Sequence, residues 1–129
     1  MAETNLTADY ETFIAAGDLS VHQYNAVMYY SNGQVGVCSG DNVHNYVGIL
    51  ANAPAAQGRA ASVVVAGAFK ARAGASIASY GIPLSSNTSG RVATATSGDI
   101  VIGYNTETAS ADGDIISVQL QRPYRIGPF

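Results

Sequence analysis

The stretch Asn25-Ala26-Val27-Met28-Tyr29-Tyr30-Ser31-Asn32-Gly33-Gln34-Val35-Gly36-Val37-Cys38 decides the fold class. Asn32-Gly33 supplies the two positive-φ residues of a type I′ hairpin turn, and the flanking residues are β-formers. With Ser31 opposite Gln34, Tyr30 pairs with Val35, Tyr29 with Gly36, Met28 with Val37 and Val27 with Cys38. Side chains alternate across a strand, so Ala26, Met28, Tyr30, Val35 and Val37 form one face, which reads as core. Val27, Tyr29 and Cys38 form the other. That outer face is also apolar, with Gly36 leaving a slot beside Tyr29, so a further strand or another subunit is expected to cover it. Val27, Tyr29 and Cys38 are therefore the expected subunit-interface residues.

Working outward, strands are expected at Tyr46–Leu50 and at Ala61–Ala66, where an unbroken Val run reads as buried on both sides. Gly67 interrupts before Phe69–Ala73 and predicts a bulge or bend that lets a small sheet curl. Ala75–Tyr80 is ambiguous between a helical turn and a loop. Ile82-Pro83-Leu84 reads as a short edge strand and Ser85–Gly90 as a turn. Ile100–Tyr104 and Ile116–Leu120 alternate as strands, with a polar loop at Thr106–Gly113 between them. Short strands separated by frequent turn signals describe an all-β fold: a small β-barrel or sandwich of short antiparallel strands, with an extended N-terminal arm. The expected division is an arm over 1–17, a barrel domain over 18–121 and a tail over 122–129.

Within the arm, Leu6, Tyr10, Phe13 and Ile14 stand at helical spacing, but so short a helix needs a surface to dock on. A first strand, a frayed terminus and a segment ordered by a partner are the alternatives. In the tail, Pro123 is expected to end regular structure after Gln121. Arg122 and Arg125 carry a third of the basic charge, and Ile126 and Phe129 are apolar residues that favour burial.

Composition narrows function. The 129 residues include 14 Gly, eight Tyr, no Trp and one Cys, and 21 of the hydrophobic residues are Ala, so the core is thin or shared. Charged residues are 12%, about half the usual share. A net charge of −3 offers no broad basic surface for nucleic acid. Residues 1–58 carry −5 and residues 59–129 carry +2, an asymmetry that favours association between unlike surfaces. No stretch approaches a membrane span, and no charged, apolar leader follows Met1, so synthesis in a cytoplasm is expected. Lone Cys38 suits that reducing setting as a small hydrophobe.

No residues form a catalytic or metal-binding constellation. His22 and His44 lack partners at zinc spacing, and Asp41-Asn42-Val43-His44 reads as a loop. Asp112-Gly113-Asp114 lacks the other oxygen ligands of a calcium loop and reads as a turn before a strand. No nucleophile elbow or phosphate loop is present. The expectation is a non-enzyme without cofactor or metal. The tyrosines suit protein interfaces better than a ligand-stacking surface.

The succession Tyr46-Val47-Gly48-Ile49-Leu50, Gln57-Gly58, Ala61 to Phe69, Gly81-Ile82-Pro83-Leu84, Ser89-Gly90-Arg91-Val92, Ile102-Gly103-Tyr104 and Gly113 to Leu120 resembles the small β-barrel capsid-decoration (cement) proteins of tailed bacteriophages. The resemblance spans about four-fifths of the chain and rests on pattern and spacing. It implies a homotrimer on the outer surface of an expanded capsid, with the major capsid protein as partner, reinforcing the shell in the virion. Leu6, Tyr10, Phe13 and Ile14 of the arm and Arg122, Tyr124 and Arg125 of the tail are then the expected capsid contacts, inferred from the chain and not carried over from a family motif. A tail or fibre module binding a cell-surface glycan through loops and tyrosines is the alternative.

Overall fold

A computed structural model describes residues 8–39, 45–96 and 98–125, with side chains of Ser31 and of 122–125 excepted. Nine strands form: β1 (Asp9–Ile14), β2 (Ala26–Tyr29), β3 (Val35–Val37), β4 (Tyr46–Leu50), β5 (Ala60–Arg72), β6 (Pro83–Ser86), β7 (Val92–Thr94), β8 (Ile100–Asn105) and β9 (Ile115–Arg125). All pair antiparallel in one curled sheet of order β3-β2-β4-β5-β9-β8-β6-β7, with β1 added against β5. The all-β expectation holds.

β5 organises the sheet. Its first half pairs with β1 and β4, and its second half, from Gly67, pairs with β9. Gly67 stands at the hand-over with φ 98°, a conformation that a residue with a side chain resists. The expected bend is there, yet the strand runs through it: Ala60–Arg72 is one 13-residue strand and not two. Beyond β5 the sheet folds back, because Ala73 bridges Val92, the first residue of β7, and the Ala26 N–H donates to the Gly90 carbonyl at 2.6 Å.

The Val run is buried on both faces, as its composition predicts. Val64 belongs to the main core inside the curl, with Ile49, Leu84, Ile102, Ile116, Val118 and Leu120. Val63 belongs to a second cluster on the opposite face, with Ala15, Leu19, Val27, Val35, Leu50 and Ala61.

The hairpin corrects the expected register. Val27 faces Val37, Met28 faces Gly36 and Tyr29 faces Val35, a slip of one residue. The cause is the loop: Ser31, Asn32 and Gly33 form a tight three-residue turn with left-handed φ of 63° at Asn32 and 74° at Gly33, and the Tyr30 N–H donates to the Gln34 carbonyl at 2.6 Å. Three residues close the hairpin where two were expected. The slot at Gly36 is consequently filled by Tyr30, whose ring would lie 2.6 Å from a Cβ placed there and whose hydroxyl donates to the Val37 carbonyl. Tyr30 is therefore 40% exposed and not core.

Three other expectations change. β6 is interior, lying between β7 and β8, because Ser85 and Ser86 extend it past the Pro83-Leu84 start. β9 passes through Pro123 to Arg125. Its pairing with β8 shifts between Val101 and Gly103, and its pairing with β5 reaches only Leu120, so no ladder bond is required of the Pro123 nitrogen. Ala75–Tyr80 is irregular, pinned by an Ile77–Ala109 bridge.

Candidate functional site

The first described segment is a strand and not a helical turn. β1 lies on β5 from Tyr10 opposite Val64 to Ile14 opposite Ala60, and among the described residues it pairs with no other strand. Period-two alternation splits the helix-spaced set: Tyr10 and Ile14 fall on one side and Phe13 on the other. Phe13 packs on the second core cluster and meets Tyr29 edge to face, with ring centroids 5.8 Å apart. Tyr10 and Ile14 remain 55% and 44% exposed. Leu6 lies outside the described residues.

Past β1 the chain turns inward and is held there. The Ala15 N–H donates to the Arg59 carbonyl and the Ala16 N–H to the Val35 carbonyl, both at 2.8 Å, and the Leu19 N–H donates to the Pro54 carbonyl at 2.8 Å. Ala15 and Leu19 thereby cap the outer face of the hairpin. This corrects the expected interface set. Val27 and Cys38 have no exposed surface, because residues 15–19 and the main core cover them within the same chain, and the register slip puts them in different clusters. Of the three, only Tyr29 presents surface, at 46%.

Tyr10 also forms one wall of an aromatic groove of about 570 Å³ that also includes Tyr24, Phe69, Lys70, Thr106 and Ser117. The Tyr10 and Phe69 rings meet edge to face with centroids 6.1 Å apart, and Tyr24 tilts against Phe69 at 5.8 Å. Sequence reasoning missed Tyr24, Phe69 and Lys70, which only the curl of β5 brings beside β1 and β9. No local signal marks them.

The polar side chains mostly stabilise turns. The Asp114 carboxylate accepts from the N–H groups of Ser110 and Ala111, and Asp99 accepts from the N–H and hydroxyl of Thr96. Asp112 pairs with Arg91 at the surface, and Asp112-Gly113-Asp114 is the expected turn before a strand. Hydrogen bonds from Ser20 hold the Asp18 carboxyl below its ordinary value. Burial pushes the Cys38 thiol up to about 11, partly opposed by a hydrogen bond with Ser86, so the thiolate that a nucleophile needs is disfavoured. His22 Nδ1 sits 3.1 Å from the Asn25 amide nitrogen, while Asp41 to His44 lie outside the described residues. Among the described residues no group of three or more His, Cys, Asp or Glu is placed to hold a metal, and no helix is long and apolar enough to cross a membrane. Arg122, Tyr124 and Arg125 lie on the last turn-free stretch of β9, where Tyr124 and Arg125 pair with Val101 and Ile100 along the backbone.

The described surface thus carries an edge strand, exposed tyrosines and an aromatic groove. A family model for phage cement proteins matches residues 9–120. The chain belongs to the phage cement protein family. A cement protein is a structural component associated with a phage capsid, which places this one in the virion. The cement protein also shares its fold with the N base of head fiber gp8.5 in bacteriophage phi29, with a TM-score of 0.67 and 14% identity. The alignment covers 89% of this chain and 95% of that one. A search of curated proteins finds no match.

Proposed function

We propose that this cement protein binds the outside of an expanded phage capsid as a homotrimer and stabilises the shell, with the major capsid protein as its partner. Family membership over residues 9–120 carries the reading. The placement of β1 supports a contact role for the arm. Among the described residues it is an edge strand, paired with β5 alone, and it carries the exposed side chains of Tyr10 and Ile14. An unpaired edge is a template for an added strand from a partner. Tyr29 is the residue of the hairpin suited to a subunit contact, and Leu6, Arg122, Tyr124 and Arg125 are proposed as further shell contacts from either end. Three arms engaging one shell together would bind far more tightly than one, through effective concentration.

The test combines mass and binding. Sedimentation of the free protein should give about 40 kDa, three times the 13.3 kDa chain. Cosedimentation with expanded capsids should saturate, and the double variant Tyr10→Ser, Ile14→Ser should lose it while keeping its fold. Removing residues 1–17 would be the wrong variant, because Ala15 is a core residue. Undiminished binding of the double variant would sink the assignment of the arm.

A further inference from the structure

We propose that the groove between β1, β5 and β9 is a saccharide-binding site, in which a sugar ring stacks on Tyr24 and Phe69 and its hydroxyls bond to Lys70, Thr106 and Ser117.

The strongest pointer is Tyr24. It is a bulky residue at φ 71°, where side chains other than those of Gly, Asn and Asp are uncommon. The conformation is fixed from both sides, since the Tyr24 N–H donates to the Leu50 carbonyl at 2.8 Å and the Arg72 N–H donates to the Tyr24 carbonyl at 2.9 Å. Such residues persist where the surroundings over-determine them, and they cluster at ligand clamps. Here the held backbone sets the ring of Tyr24 against Phe69, with Tyr10 beyond it, around a groove of a size typical for small ligands.

The polar groups choose the occupant. The hydroxyls of Tyr10, Tyr24, Thr106 and Ser117 and the ammonium of Lys70 make no hydrogen bond or ion pair with the described residues. Lys70 is the only lysine in the chain. An apolar protein segment laid over the groove would bury these groups without partners, at a cost for each. A nucleic acid would meet one cation in a protein of net charge −3. A saccharide suits both features, because its C–H face stacks on aromatic rings while hydroxyls or a carboxylate around its edge meet the polar rim.

The site is separable from shell binding. Tyr10 is common to both surfaces, so a bound sugar and a capsid strand would compete there, whereas Tyr24 and Lys70 belong to the groove alone. Saturation-transfer-difference NMR of the full chain with three probes tests it: cellotetraose, the N-acetylglucosamine tetramer and trigalacturonate, each up to about 10 mM. Transfer to at least one probe is expected, with Lys70→Gln and Tyr24→Gly each weakening it about tenfold or more. Glycine accepts the backbone of residue 24, so Tyr24→Gly should stay folded and should still cosediment with capsids. No transfer from any probe, or undiminished binding by both folded variants, overturns the proposal and leaves capsid binding untouched.

Discussion

Leu19→Ala asks whether the outer face of the first hairpin is covered by its own chain. Leu19 is 3% exposed and closes a cluster of seven buried residues with Val27, Val35 and Val63 beneath it. Truncating a buried Leu costs about 3 to 5 kcal/mol, and the lower end applies because this cluster lies near the surface and can partly collapse. Unfolding entropy for 129 residues is about 270 cal/mol/K, so about 3 kcal/mol lowers Tm by about 11 °C. The assay is thermal unfolding by circular dichroism at two protein concentrations a factor of ten apart. Val21→Ala, at a residue 76% exposed, is the control and should shift Tm by less than about 2 °C. Because the covering segment is covalently attached, the Leu19→Ala loss should be the same at both concentrations. A Tm within about 3 °C of the parent, or a loss that shrinks as concentration rises, would refute an intrachain lid and return that face to a neighbouring subunit.

Three further outcomes are expected. Gly103→Ala should cost several kcal/mol, about 10 °C or more in Tm, because the new Cβ would collide with the backbone carbonyl of Gln119 and no rotamer relieves it; Gly17→Ala, with open space around it, should be nearly silent in the same melts. Asn105→Leu should cost about 3 kcal/mol in urea unfolding, since buried Asn105 accepts from the Ile82 N–H at 2.6 Å and donates to the Ser79 and Glu107 carbonyls at 2.7 and 3.1 Å. Alkaline pH should destabilise the fold: the Cys38 thiol ionises near 9.0 when unfolded and about 11 when folded, so its contribution is intact below pH 9 and is lost progressively up to about pH 11. The loss is of order 2 to 3 kcal/mol. Urea midpoints at pH 8 and 11 should therefore converge in Cys38→Ala, apart from the slope left by Tyr46, which burial shifts in the same direction.

Much of the sheet is legible in local pattern. Tyr46–Leu50 forms as read, and the alternation of Ile100–Tyr104 and Ile116–Leu120 marks the cores of β8 and β9. Gly67 marks the bend. What escapes reading depends on contacts between distant residues. The hairpin register turns on whether Ser31 joins the loop, and Asn32-Gly33 suits both closures; Tyr30 settling over Gly36 and the packing of Val27 under Leu19 favour the longer one. The arm is ambiguous because Tyr10, Phe13 and Ile14 fit a helix face as well as two sides of a strand, and only the exposed flank of β5 decides between them. Pro123 reads as a terminator on its own, yet it stands where β9 has already left β5 and its missing N–H is harmless. The groove is the least legible part, since its rings come from residues 10, 24 and 69 and owe their meeting to the curl alone.

β5 pairs with both the first strand and the last, Tyr10 meeting Val64 and Gly67 meeting Leu120, each across more than fifty residues of chain. A growing polypeptide therefore cannot complete its central strand until nearly all of it has left the ribosome. Loop closure of that length precedes any gain from pairing, so refolding should be slow for the size, in the range of milliseconds to seconds, measurable by stopped-flow tyrosine fluorescence. The same topology orders the edge late: β1 takes its final shape only once the partner residues 60–66 of β5 have emerged to pair with it.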